Sequence, residues 1–72
     1  MLQVNILKLK GKIVENNLTQ DGLSSEIGIH RSTFYRKLNS GGVNFTLQEI
    51  RVMIEKLNLS QTEAQEIFLD AQ

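Results

Sequence analysis

The chain has no cysteine, no proline and no tryptophan, a single histidine, and a formal net charge of zero. Without cysteine there is no disulfide framework and no thiolate metal site. One histidine and no repeated carboxylate spacing leave nothing from which to build another metal centre, so no metal and no cofactor is expected. No apolar run approaches the roughly 18 to 20 residues that span a bilayer. The first eleven residues mix Lys8 and Lys10 with apolar side chains and lack the apolar core of a signal peptide. A cysteine-free chain of this kind fits a reducing cytoplasm.

Zero net charge argues against a strongly basic nucleic-acid binder, but the distribution is uneven. Residues 1–40 hold six basic residues (Lys8, Lys10, Lys12, Arg31, Arg36, Lys37) and three acidic ones (Glu15, Asp21, Glu26), a balance of +3. Residues 41–72 hold Arg51 and Lys56 against Glu49, Glu55, Glu63, Glu66 and Asp70, a balance of −3. Such a chain can turn one face toward an anion while staying neutral overall. Seventy-two residues make one domain, taken here as 1–72. A domain of that size buries only about 60% of its unfolded surface, so each apolar face counts.

Periodicity predicts an all-α fold of five helices. The first segment runs from about Ile6 to Asn16, with Asn5 as N-cap and Ile6, Leu9 and Ile13 on one face. Gly11 inside it either lets another helix approach or is merely tolerated. The second starts at the N-cap Thr19 and ends at Gly28, in the manner of a left-handed terminating residue. The third spans about Arg31 to Asn39, with Phe34 and Leu38 inward and Asn39 to Gly42 as breakers. The fourth runs from Leu47 to about Leu57 behind a Thr46/Glu49 capping box, with Leu47, Ile50, Ile54 and Leu57 as its apolar stripe. The fifth opens on a Ser60/Glu63 box, with Ala64, Ile67, Phe68 and Ala71 on a face. Ile67, Phe68 and Leu69 cannot all face one way, so one of them meets solvent or a second subunit. Met1 to Ile6 could form a short extended arm. Lys8, Lys10 and Lys12 read as solvated, with an auxiliary phosphate contact as the sharper alternative.

Only Gly28, Ile29 and His30 separate the second and third segments. Two short helices joined by a Gly-containing turn of that length make a helix-turn-helix, about residues 19–39. The second helix of such a unit can enter a DNA major groove about 12 Å wide. From Arg31 to Leu38 it would be about 12 Å long. At 100° per residue Ser32, Arg36 and Asn39 lie opposite Phe34 and Leu38, with Tyr35 at the edge of the outward face and Arg31 at its tip. Arg36 suits a bidentate contact with a guanine edge. Thr33 and Lys37 lie on a flank suited to phosphates.

The run from Thr19-Gln20 through Ser24 and Gly28 to Tyr35-Arg36 resembles the helix-turn-helix of the Cro and lysogenic-repressor (XRE) family of phage and bacterial regulators. The resemblance covers about Ile6 to Phe68 and implies a compact five-helix repressor-like domain. It implies that Gln20, in the Thr19-Gln20 pair that opens the first helix, contacts a phosphate, and that His30, Arg31, Ser32, Tyr35 and Arg36 are recognition residues; Thr19, Thr33, Lys37 and Asn39 are the further phosphate-contact candidates. Three positions depart from the family pattern. Ser24 replaces the usual Ala, Gly22 stands where a helix former is usual, and His30 replaces the Ser or Thr that often caps the recognition helix. His is a mediocre cap, and a protonated imidazole opposes the helix dipole. The length and phage-like pattern also resemble small modulators of repression in lactococcal temperate phages, which counteract a lysogenic repressor. The implied partners are double-stranded operator DNA, a phage repressor protein, or both, in the cytoplasm of a bacterial host. A homodimer surface is not legible. No enzyme activity is expected: His30 and Ser32 have no orienting carboxylate suggested, and Gly41-Gly42 lacks the lysine and strand of a phosphate loop.

Overall fold

Asn5, Thr19, His30, Thr46 and Ser60 each accept a backbone N–H from the first turn of the helix that follows. These caps set where five short helices begin in the computed structural model, which describes residues 4–69. The helices are α1 (Ile6–Glu15), α2 (Gln20–Ile27), α3 (Arg31–Asn39), α4 (Leu47–Lys56) and α5 (Gln61–Phe68), with no strand among the described residues. The fold is all-α, as the periodicity predicts. Both capping boxes form: Thr46 with Glu49 and Ser60 with Glu63. Most of the expected arm (residues 1–3), and Ala71 of the fifth apolar face, lie outside the described residues. Asn5 donates its backbone N–H to the Ile67 carbonyl at 2.7 Å, tying the start of α1 to α5.

Three of the connections share one construction. Asn17-Leu18-Thr19, Gly28-Ile29-His30 and Asn58-Leu59-Ser60 each place a left-handed residue first (φ 60°, 90° and 52°), an apolar residue second and an N-cap third. In each, the apolar residue donates its N–H five residues back, to Ile13, Ser24 and Ile54 respectively, at 3.0 Å. The left-handed residue donates three residues back, to Val14, Ser25 and Glu55. This is the Schellman arrangement, which satisfies the open carbonyls of a helix end. Leu18, Ile29 and Leu59 then pack against the core, so each turn is anchored as well as hydrogen-bonded. The longer link after α3 ends that helix the same way, with Gly41 left-handed and Gly42 donating to the Lys37 carbonyl at 2.9 Å. Gly42 is doubly constrained: its φ is +77°, and a Cβ there would sit 2.6 Å from the Val4 side chain.

The core joins Leu9 and Ile13 of α1, Leu23 of α2, Phe34 and Leu38 of α3, Phe45, Met53 and Leu57 around α4, and Ile67 and Phe68 of α5. Phe34 is fully buried and meets Phe45 at 5.7 Å between ring centroids. Of the stripe expected on α4, Leu57 is in the core and Ile50 and Ile54 pack against it, while Leu47 departs. Met53 is the most buried side chain of α4, Ile50 and Ile54 are half-buried, and Leu47 is 72% exposed. Leu47, with the outer sides of Ile50 and Ile54, lines an open apolar groove of about 430 Å³ against Ala64, Phe68 and Leu69. The stripe is real, but it lies between a groove and the core. Leu69 is the C-terminal apolar residue that meets solvent, while Ile67 and Phe68 are core. Gly11 has nothing within 4 Å of a built Cβ, so it does not admit a close helix.

Lys10 is exposed, as the solvated reading expects, whereas Lys8 and Lys12 depart from it. Lys12 bridges Glu63 of α5 and, at 3.1 Å, Glu15, and Lys8 pairs with Glu66. These pairs clamp α1 to α5 across more than fifty residues of sequence. The Lys12 ammonium, helped by the Ser60 N–H, holds the Glu63 carboxyl down at about 2. The hydrogen bonds that Lys12 donates to Glu63 and then to Glu15 raise its pKa.

Two measurements check this packing. Met53→Ala is expected to cost about 2 to 5 kcal/mol in urea unfolding, as a large-to-small core change does. Leu47→Ala is expected to stay within about 0.5 kcal/mol. The acid limb of stability tests the clamp. With a folded pKa of about 2 against an ordinary 4.5, the Glu63 contribution is full above pH 4.5 and fades as pH falls toward 2. Glu63→Gln should therefore flatten the fall in melting temperature across that window.

Candidate functional site

The α3 helix is held from both ends and from beneath. The Gly28 turn fixes its start, the Gly41-Gly42 turn its end, and Phe34 and Leu38 its inner face. Its other face is open: Arg31, Ser32, Tyr35, Arg36 and Asn39 are exposed, while Thr33 and Lys37 are half-buried on the flank. This is the partition expected from the 100° spacing. On α2, Thr19 is exposed and Gln20 half-buried. Thr19 Oγ1 accepts the Gly22 N–H at 2.9 Å, which leaves its hydroxyl proton free to donate outward.

His30 serves as the cap of α3 in spite of its poor standing as one. Its Nδ1 accepts the Ser32 backbone N–H at 3.1 Å and lies 2.8 Å from Ser32 Oγ. The ring nitrogen here does for α3 what a Ser or Thr hydroxyl oxygen does at other helix starts. The histidine thus fills the slot that Thr19 and Ser60 fill in the other two turns. Ser32 is partly occupied by this contact.

Two of the expected contact groups are tied to α2. The Tyr35 hydroxyl donates to one oxygen of Asp21, and Arg31 Nη1 reaches the other at 3.4 Å. The Tyr35 bond, reinforced by Arg31, holds the Asp21 carboxyl below its ordinary range. The same bond raises the Tyr35 phenol, which stays protonated and donating. Periodicity along one helix does not reveal this bridge, because it joins residues ten and fourteen apart on different helices.

Lys37 is the expected phosphate contact that the structure relocates. Its Nζ donates to both oxygens of Glu49 at 2.7 and 2.8 Å, with side-chain exposures of 16% and 11%. It also stands 5.9 Å over the Phe45 ring. Burial pushes the Glu49 carboxyl up, but the Lys37 ammonium and the Thr46 N–H outweigh it and leave the group below its ordinary range. Glu49 therefore closes the α4 capping box and binds α3 to α4 at once. Lys37 is a strut between helices, and reaching a phosphate would strip Glu49 of its partner.

Among the described residues, five of the eight Lys and Arg residues stand in ion pairs: Lys8, Lys12, Arg31, Lys37 and Lys56. Arg36 is the cation of α3 without a carboxylate partner among the described residues. It stands in the middle of the outward face, between Ser32 and Asn39. No group of three or more His, Cys, Asp or Glu residues that could hold a metal occurs among the described residues. No helix among them is long and apolar enough to cross a membrane. No protein-family model, curated protein or solved structure matches the chain.

The different duties of neighbouring cations can be separated. Lys37→Met keeps the stem but leaves Glu49 unpaired, and is expected to destabilise the fold by about 3 kcal/mol, the low end for breaking a buried pair. Arg36→Ala, on the open face, should leave the urea midpoint within about 0.5 kcal/mol of the parent. Equal stability losses in the two variants would contradict this division.

Proposed function

We propose that the chain is a small phage-type transcriptional regulator of a lysis/lysogeny switch, acting in the cytoplasm of a bacterial host. Its helix-turn-helix is α2–α3, and the outer face of α3 is the surface that reads operator DNA. One observation carries this reading: α3 is anchored by Phe34 and Leu38 while Ser32, Arg36 and Asn39 face outward with Arg31 at the tip. A helix of nine residues is about 13 Å long, which suits a groove of about 12 Å. In this reading Arg36 addresses a guanine edge, Ser32 and Tyr35 address neighbouring bases, and Thr19, Gln20, Thr33 and Asn39 address phosphates. Lys37 acts through the placement of α3. His30 sets the start of the helix and adds a polar edge beside Arg31.

A second reading has its own support. With five of eight cations already paired and no net charge, little positive charge is left to release counterions from DNA. An antirepressor that docks directly on the DNA-binding domain of a phage repressor needs no such surplus. Tyr35 and Arg36 are residue types enriched at protein hot spots, and the acidic half complements a basic DNA-reading surface.

Selection from a random duplex library at about 50 mM salt tests the first reading, because phosphate contacts are strongest there. A consensus should emerge, with affinity falling steeply as salt rises. Arg36→Ala should relax one guanine position by about 1 to 3 kcal/mol. Absence of any retained duplex would sink the DNA reading. Release of a repressor from its operator by this chain would then favour the second, and an unchanged repressor–operator complex would count against it.

A further inference from the structure

Among the described residues, Asp21 is the acidic residue that bonds to the outward side chains of α3, through Tyr35 and Arg31. It sits in the first turn of α2, where a carboxylate also suits the helix dipole. Its two oxygens engage different groups: Oδ1 takes the Tyr35 hydroxyl and Oδ2 takes Arg31 Nη1 at 3.4 Å. Arg31 is the first residue of α3 and Tyr35 lies one turn further on, so Asp21 spans the N-terminal turn of the proposed contact helix. The pair is open to solvent, with side-chain exposures of 66% for Arg31 and 48% for Asp21. The carboxylate therefore stands where an incoming phosphate would stand, holds the same donors, and repels it.

We propose that Asp21 is a partner-selecting residue: an internal anion that occupies Arg31 and Tyr35 and so sets the α3 face against nucleic-acid phosphates. The inference rests on the reading that α3 is the contact surface. Removing the carboxylate frees one guanidinium and one phenol and deletes a repulsive charge. Retaining it leaves Arg36 as the uncommitted cation of the face. A face in this state discriminates by what a partner brings: a duplex must displace Asp21, whereas a surface supplying its own cations can bond to it.

A purely structural role for Asp21, as a first-turn acid of α2, predicts a change in stability and none in affinity. The experiment is a fluorescence-anisotropy titration of the full chain against a labelled mixed-sequence 20-base-pair duplex, at several salt concentrations. Asp21→Asn is expected to bind about fivefold more tightly than the parent, with a log–log salt slope steeper by about one, as one added phosphate contact gives. Glu26→Gln makes the same charge change on the same helix, where Glu26 pairs with Lys56 at 3.3 Å, and should change affinity less than twofold. In an Arg31→Ala/Tyr35→Phe background the gain from Asp21→Asn should vanish, since the freed donors are gone. If Asp21→Asn loses helical circular dichroism, Asp21→Ser replaces it. An equal gain from Glu26→Gln, or a gain that survives in the donor-free background, overturns the proposal by reducing it to net charge. If Arg36→Ala lowers duplex affinity while Asp21→Asn leaves it unchanged, this inference alone falls. If neither the parent nor Asp21→Asn binds duplex at low salt, the DNA reading falls and the inference falls with it.

Discussion

The structure depends on a three-residue turn used three times. Its helices are eight to ten residues long, shorter than the roughly 12 to 15 that are even marginal alone in water. Each must be stopped, redirected and restarted within the fewest residues. The sequence left-handed residue, apolar anchor, N-cap does all three: it closes the carbonyls of one helix, plants a side chain in the core, and supplies an acceptor to the next helix. The turn between α2 and α3 is one of these, with Gly28, Ile29 and His30 in the three slots. The orientation of α3 thus follows from the same device that closes the rest of the domain. A histidine as cap is the local variation, with Nδ1 accepting the Ser32 N–H.

Charge is the second organising element. A basic half and an acidic half suggest a dipolar surface, but the ion pairs largely join the two halves to each other. Lys8 and Lys12 reach Glu66 and Glu63, and Lys37 reaches Glu49. The asymmetry along the chain is spent on holding α1 to α5 and α3 to α4. Most of these pairs are partly exposed and individually modest; Lys37–Glu49 is the exception by burial. The proposed contact face is left sparsely charged, with Arg36 free and Arg31 engaged by Asp21. Such a face favours recognition by shape and a few directed bonds over attraction by net charge.

Much of the fold was legible in the sequence. The two capping boxes, the Gly28 stop, the N-caps that start all five helices and the inner pair Phe34/Leu38 follow from local chemistry, and all appear where that chemistry places them. The outward set on α3 followed from the 100° spacing once its inner face was known. The remainder lay in contacts between helices. Lys37 was placed on the correct flank, but a one-helix wheel cannot see Glu49 twelve residues away. Asp21 escaped notice for the same reason, and so did the α1–α5 clamp. Leu47 left the α4 stripe because an apolar stripe can line a groove as well as a core, and only packing shows that Met53 is the deeper residue. The Asn17-Leu18 and Asn58-Leu59 dipeptides carried a usable signal, since each repeats the left-handed–apolar step of Gly28-Ile29 just before a cap.

The central claim is that the outer face of α3 is the surface this protein uses. The most direct measurement is amide chemical-shift mapping of the labelled chain by NMR, titrated with duplex DNA and separately with a repressor DNA-binding domain. The account predicts that, with whichever partner binds, the largest shifts fall on Arg31, Ser32, Tyr35, Arg36 and Asn39, with Thr19 and Gln20 beside them. Shifts concentrated instead along the α4–α5 groove, at Leu47, Ile54, Ala64 and Leu69, with α3 unmoved, would contradict it.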